Sequence, residues 1–127
     1  ATAIIVTVPS NAPLGSQTVV VTTAGGSDSS KSLTVKVALP TVSAVAQSGT
    51  KRGVGTVTIT GANFSGATVK VGTVTVASVN INEAGTSLTF TIPANAAVFS
   101  LAVLTVTNSG GSWTSTSNST KIAVTAN

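Results

Sequence analysis

The chain has 127 residues, enough for one sandwich core of about 100 residues and part of a second, but not for two complete ones. Charged residues make up only 6% of it, the net charge is +4, and Cys, His, Met and Tyr are absent. This excludes a thiol nucleophile, an imidazole base and the ordinary zinc and copper sites, and a calcium cage or a glycosidase pair would consume both acids of the chain, Asp28 and Glu83.

Roughly a third of the residues are Ser or Thr and valine leads the apolar set, a composition that favours β-sheet. The longest apolar run, within 96–106, is interrupted by Ser100 and is too short to span a bilayer, so no membrane insertion is expected. There is no signal peptide and no initiator Met, so the sequence reads as a mature product or an excised piece.

In chain order, residues 3–9 (AIIVTVP) place Ile4, Val6 and Val8 on one face and end on a proline, and so read as a strand. Residues 10–15 (SNAPLG) are turn chemistry, and 17–23 (QTVVVTT) form a second, nearly continuous apolar strand. A loop over 24–30 (AGGSDSS) leads to a third strand at 31–39, with Leu33, Val35 and Val37 inward and Thr34 and Lys36 outward. Pro40 marks a boundary.

Beyond it, 41–46 opens a new strand, and the loop 47–55 carries the adjacent basic pair Lys51-Arg52. Residues 55–60 alternate, Val57 and Ile59 against Thr56, Thr58 and Thr60, and run into a Gly-Ala-Asn-Phe-Ser-Gly turn built around Phe64. Two further alternating strands, 67–71 and 73–81, flank Gly72, and 82–85 (NEAG) is a hairpin turn. Strands at 87–93 and 101–108, a loop at 109–119 and a strand at 120–126 complete the set.

The end of the chain repeats its beginning. Val6-Thr7-Val8-Pro9 matches Phe90-Thr91-Ile92-Pro93, Ala24-Gly25-Gly26-Ser27 matches Ser109-Gly110-Gly111-Ser112, and Leu33/Val35 match Ile122/Val124. The offset of about 84 to 89 residues is that of a tandem sandwich array. The stretch 55–66, GTVTITGANFSG, resembles the signature of IPT/TIG domains, immunoglobulin-like modules in which such a strand exits through an aromatic turn. The Pro93-Ala94-Asn95-Ala96 step and the Thr107–Gly111 turn are similar to that family too, whereas Phe99, standing where the first copy has Gly15, departs from a tight turn there. The resemblance implies an all-β, immunoglobulin-like β-sandwich: residues 40–127 as one complete module, preceded in 1–39 by the last three strands of another.

Phe64, in the turn after its strand, reads as the plug at the bottom of the sandwich core, and Phe90, which alternates with Leu88 and Ile92, reads as core too. Trp113 lies in a Gly-Gly-Ser-Trp-Thr-Ser loop, off the strand rhythm. There it can pack against a neighbouring module or stack on a sugar face, and packing is the preferred reading. Asn63-Phe64-Ser65 and Asn118-Ser119-Thr120 match the glycosylation acceptor pattern, with Asn118 the better placed because Phe64 belongs to the core. IPT/TIG-like domains occur in DNA-binding transcription factors, but one pair of adjacent cations with four scattered others is a thin electrostatic footprint, so no nucleic-acid partner is expected. Every Lys alternates outward or sits in a loop, which disfavours an intramolecular isopeptide bond.

The resulting expectation is a non-enzymatic structural or adhesive repeat without cofactor or metal, from an extracellular surface protein, filament or phage fibre at a cell or virion surface. Its partners would be neighbouring copies or modules, engaged through residues 1–39. The alternative is a carbohydrate-binding module that meets surface glycans through Trp113 and polar loops.

Overall fold

The computed structural model describes residues 2–9 and 11–127, and the chain divides into two compact units, Ala1–Val37 and Ala38–Asn127. In the first, β1 (Gly15–Thr23) and β2 (Gly26–Val35) form an antiparallel hairpin, in register from Gly15↔Val35 to Thr23↔Gly26 with a slip between Val19 and Val21. The connection is the two-residue turn Ala24-Gly25, so the loop expected over 24–30 is corrected: 26–30 is strand. Polar residues of modest strand propensity pair there because β1 supplies the ladder, a case of tertiary context overriding propensity. The third strand likewise stops at Val35 rather than at 39.

Residues 3–9, expected as a strand, join no sheet among the described residues, and Ile4, Ile5 and Val6 are exposed. An alternating pattern makes a strand only when a neighbour takes up its backbone N–H and C=O groups. The turn expected over 10–15 begins at Ser10, outside the described residues.

The second unit contains β3 (Thr41–Ser48), β4 (Thr56–Ala62), β5 (Thr68–Val71), β6 (Val74–Thr75), β7 (Asn80–Ile81), β8 (Ser87–Thr91), β9 (Phe99–Ala102), β10 (Leu104–Asn108), β11 (Gly111–Thr114) and β12 (Ile122–Val124). One antiparallel sheet has the order β3-β4-β8-β7, a second has β11-β10-β5-β6, and β12 pairs with β9. Val57, Ile59, Leu88 and Phe90 of the first sheet share a core with Val69, Val71, Leu104 and Val106 of the second. The protein is all-β with the architecture of an immunoglobulin-like sandwich.

Phe64 is fully buried in that core, as its place in the anchor turn predicts. The turn takes shape through Asn63, which has a positive φ of 64°, through the Phe64 amide donating to Gly85 O at 2.9 Å, and through the Ala67 amide donating to Phe64 O at 2.9 Å.

Three expectations change. Residues 73–81 are not one strand: β6 pairs with β5, β7 pairs with β8, and the chain between them crosses from one sheet to the other. Period-2 alternation reports which face is apolar, not which sheet a strand joins. The strand expected over 101–108 is divided between β9, which begins at Phe99, and β10, and the two pair with different strands. The loop expected over 109–119 holds only in part: after the turn Ser109-Gly110, residues 111–114 form β11, which pairs with β10, Val106 opposite Trp113, while 115–119 lie outside the strands.

Candidate functional site

The densest polar arrangement in the second unit lies where the chain enters the sandwich. Asn108 ends the inward series Leu104, Val106, Asn108, and among the described residues it is one of two buried polar side chains, at 6% exposure. All four hydrogen-bonding capacities of its carboxamide are used. Nδ2 donates to Ala38 O at 2.8 Å and to Asn63 O at 2.9 Å, and Oδ1 accepts from the amides of Gly110 at 2.8 Å and Gly111 at 3.2 Å. The Asn63 Nδ2 donates to Leu39 O at 2.9 Å. Two successive carbonyls of the entering chain are therefore gripped by two different side chains.

Gly111 completes this corner. Its φ is +144°, and a Cβ there would lie 2.5 Å from Leu39 Cδ2, so the missing side chain is the notch in which Leu39 rests. Pro40, next in the chain, is buried. The sequence places Asn108 at the end of a strand and in the Thr107–Gly111 turn without singling it out, and its phase with Leu104 and Val106 is the signal that it points inward.

The residues singled out from sequence are dispersed. Trp113 belongs to β11, the outer strand of its sheet, and is half-buried against the core of its own module, which corrects its assignment to a loop. Asn118 is exposed in a short 3-10 turn, Asn118–Thr120, held by Ser117, and its carboxamide makes no hydrogen bond within the described residues. Asn63, by contrast, is committed to Leu39. Lys51 and Arg52 sit beside the closing strand: the Arg52 amide donates to Thr125 O at 3.1 Å, and Nη1 donates to Ala96 O at 3.2 Å, so the guanidinium is folded onto the module.

Each unit has a hollow. In the second, a groove of about 520 Å³ runs past Thr56, Thr75, Ser78, Asn80, Thr91 and Asn95, with no charged residue and without Trp113 in its wall. In the first, an apolar hollow of about 330 Å³ is lined by Val6, Val8, Pro9, Pro13, Leu33 and Val35, among others. Among the described residues no cluster of three His, Cys, Asp or Glu side chains is placed to hold a metal ion, and no helix is long and apolar enough to cross a membrane.

Comparison with known proteins bears on this architecture. The family model IPT/TIG domain matches residues 40–122. No curated protein matches the chain. Among solved structures, the chain is similar to SGBP-B from a complex xyloglucan utilization locus in Bacteroides uniformis, at 28% identity and a TM-score of 0.49, over 81% of this chain and 29% of that one. The chain thus spans under a third of that protein's length. The family match takes in the sandwich from Pro40 through the start of β12, with Phe64 in its anchor turn, and the chain belongs to the IPT/TIG domain family.

Proposed function

We propose that the chain is a non-enzymatic structural repeat of an extracellular surface protein, filament or phage fibre, working by packing between neighbouring immunoglobulin-like modules through residues 1–39. The observation that carries this reading is a mismatch between equivalent positions. Phe90, Ile92 and Val106 are 3%, 0% and 0% exposed in the complete module, whereas Val6, Val8 and Val21 at the matching positions are 72%, 47% and 40% exposed.

In the complete module those positions are covered by Val57, Ile59, Phe64, Val69 and Val71. Strands of that same pattern, supplied by a neighbouring copy or module, are the occupant that fits the apolar hollow beside Val6 and Val8. Leaving such side chains wet forgoes roughly 1.5–3 kcal/mol each. Low charge and outward Thr and Ser suit a protease-resistant spacer that presents or connects other parts at a cell or virion surface.

Light scattering tests the reading. The full chain should form assemblies larger than a monomer, while a Val6→Asp, Val8→Asp variant and a chain starting at Ala38, the first residue of the second unit, should be monomeric. A monomeric full chain whose residues 4–8 and 15–35 resist hydrogen exchange would sink it.

A further inference from the structure

We propose that Asn63, Asn108 and the notch at Gly111 form a mooring for the segment that enters the sandwich, so that residues 38–40 are part of the module body. The free link after β2, which ends at Val35, then shrinks to Lys36 and Val37. This deepens the tandem-array reading, which supplies the mooring's purpose: in an array of sandwiches, freedom between neighbours is set by the unmoored residues alone.

The chemistry of the corner selects backbone, not sequence. Asn108 and Asn63 present amide donors to the carbonyls of Ala38 and Leu39, which any residue offers. Leu39 adds one apolar contact at Gly111, and Pro40 restricts Leu39 to extended backbone, the conformation in which successive carbonyls point to different sides. An extended segment ending in an apolar residue and proline is therefore the class of ligand the corner takes.

The first copy shows that this is more than turn chemistry. At the position equivalent to Asn108 it has Thr23, whose Oγ1 accepts from the Gly25 amide at 3.3 Å. Thr23 reproduces the turn contact that Asn108 Oδ1 makes with Gly110, but it has no second arm with which to hold an incoming strand. The donor half of Asn108 is what the turn does not need. Asn63 points the same way, since it adopts a left-handed φ of 64° that few residues other than glycine accept, while its Nδ2 reaches Leu39 O.

Two substitutions separate the mooring from the turns. Asn63→Gly keeps the left-handed backbone and removes the donor to Leu39. Asn108→Asp keeps the acceptor for Gly110 and Gly111 and removes the donors to Ala38 O and to Asn63 O, so Asn63→Gly is the cleaner test of the two. In the full chain, ¹⁵N relaxation should give Ala38 and Leu39 order parameters of about 0.85, like those of β4, with Lys36 and Val37 lower. In the double variant, those of Ala38 and Leu39 should fall below about 0.6 while β4 and β10 keep theirs. Should the carboxylate that Asn108→Asp buries prevent folding, Asn63→Gly alone must lower the order parameter of Leu39. Native values already below about 0.6, or variants that leave Ala38 and Leu39 rigid, overturn the mooring. The association state by light scattering is read separately: a monomeric chain with a rigid Ala38 and Leu39 would remove the array reading and leave the mooring intact.

Discussion

The hairpin Gly15–Val35 and the strands between Phe99 and Val124 are built alike. Gly15↔Val35 corresponds to Phe99↔Val124, Gln17↔Leu33 to Ala102↔Ile122, and Thr23↔Gly26 to Asn108↔Gly111. Even a detail recurs: the hydroxyls of Thr22 and Ser27 meet at 2.8 Å, and those of Thr107 and Ser112 at 2.7 Å. Yet the second copy has a core and the first has an open apolar face. Local pairing rules, two-residue turns and cross-strand hydroxyl pairs suffice to set a register, but burial requires a second layer. Register and core formation are separate achievements, and this molecule shows them apart.

The sharpest way to break the comparison is to truncate matched positions. Ile92→Ala should destabilise Ala38–Asn127 by roughly 2–5 kcal/mol and Phe64→Ala by roughly 3–5 kcal/mol, because both side chains are fully buried and leave a cavity. In the dissociated chain, Val8→Ala, at the position matching Ile92, should change stability by less than about 1 kcal/mol, since half of that side chain meets water there. Chemical denaturation of the full chain, followed by Trp113 fluorescence in the second unit, measures the first pair. A loss under about 1 kcal/mol for Phe64→Ala would mean that the anchor turn does not close the core.

A smaller difference separates the two turn glycines. Gly26 and Gly111 have φ of +133° and +144°, so alanine is strained at either position, by about 1–3 kcal/mol. At Gly26 nothing lies within 4 Å of the added Cβ, whereas at Gly111 it would fall 2.5 Å from Leu39 Cδ2 and push that side chain off its seat. Gly111→Ala should therefore be the costlier change, and it alone should raise hydrogen exchange near Leu39. Equal effects at the two sites would show that Leu39 moves aside freely.

Much of this was legible in the residues. Val57, Ile59 and Phe64 announced themselves as an alternating strand with an aromatic exit, and Leu88, Phe90 and Ile92 as a second; all six are core. The failures share a cause. Residues 73–81 alternate without interruption, but alternation cannot say that Val74 faces one sheet's partner and Ile81 another's. Residues 26–30 and 111–114 looked like loops because Gly and Ser dominate them, and they are strands because the preceding strand turns back after two residues. Asn108, a polar residue at the end of an apolar run, reads as a turn signal, yet the same period that buries Leu104 and Val106 buries it too. The mooring joins Ala38 to Asn108, 70 positions apart, a pairing that only the closed sandwich brings together.

The smallest expected effect concerns the one large difference between the two hairpins. The residue opposite Val106 is Trp113, while the residue opposite the matching Val21 is Asp28, which is exposed and bonds its own strand through the Ser30 amide at 3.0 Å. An indole belongs where there is a core to cover, and Trp113 packs half-buried against one; a carboxylate belongs where the strand faces water. On this reading Trp113 serves as the outer edge of its own core. Its emission should be blue-shifted relative to free tryptophan, and neutral oligosaccharides should leave both its wavelength and its quenching unchanged. Trp113 is the sole tryptophan, so the signal has one source. A saturable response to an oligosaccharide, lost in Trp113→Phe with the fold retained, would instead make this edge a sugar-stacking face and set the second hairpin apart from the first by function as well as by burial.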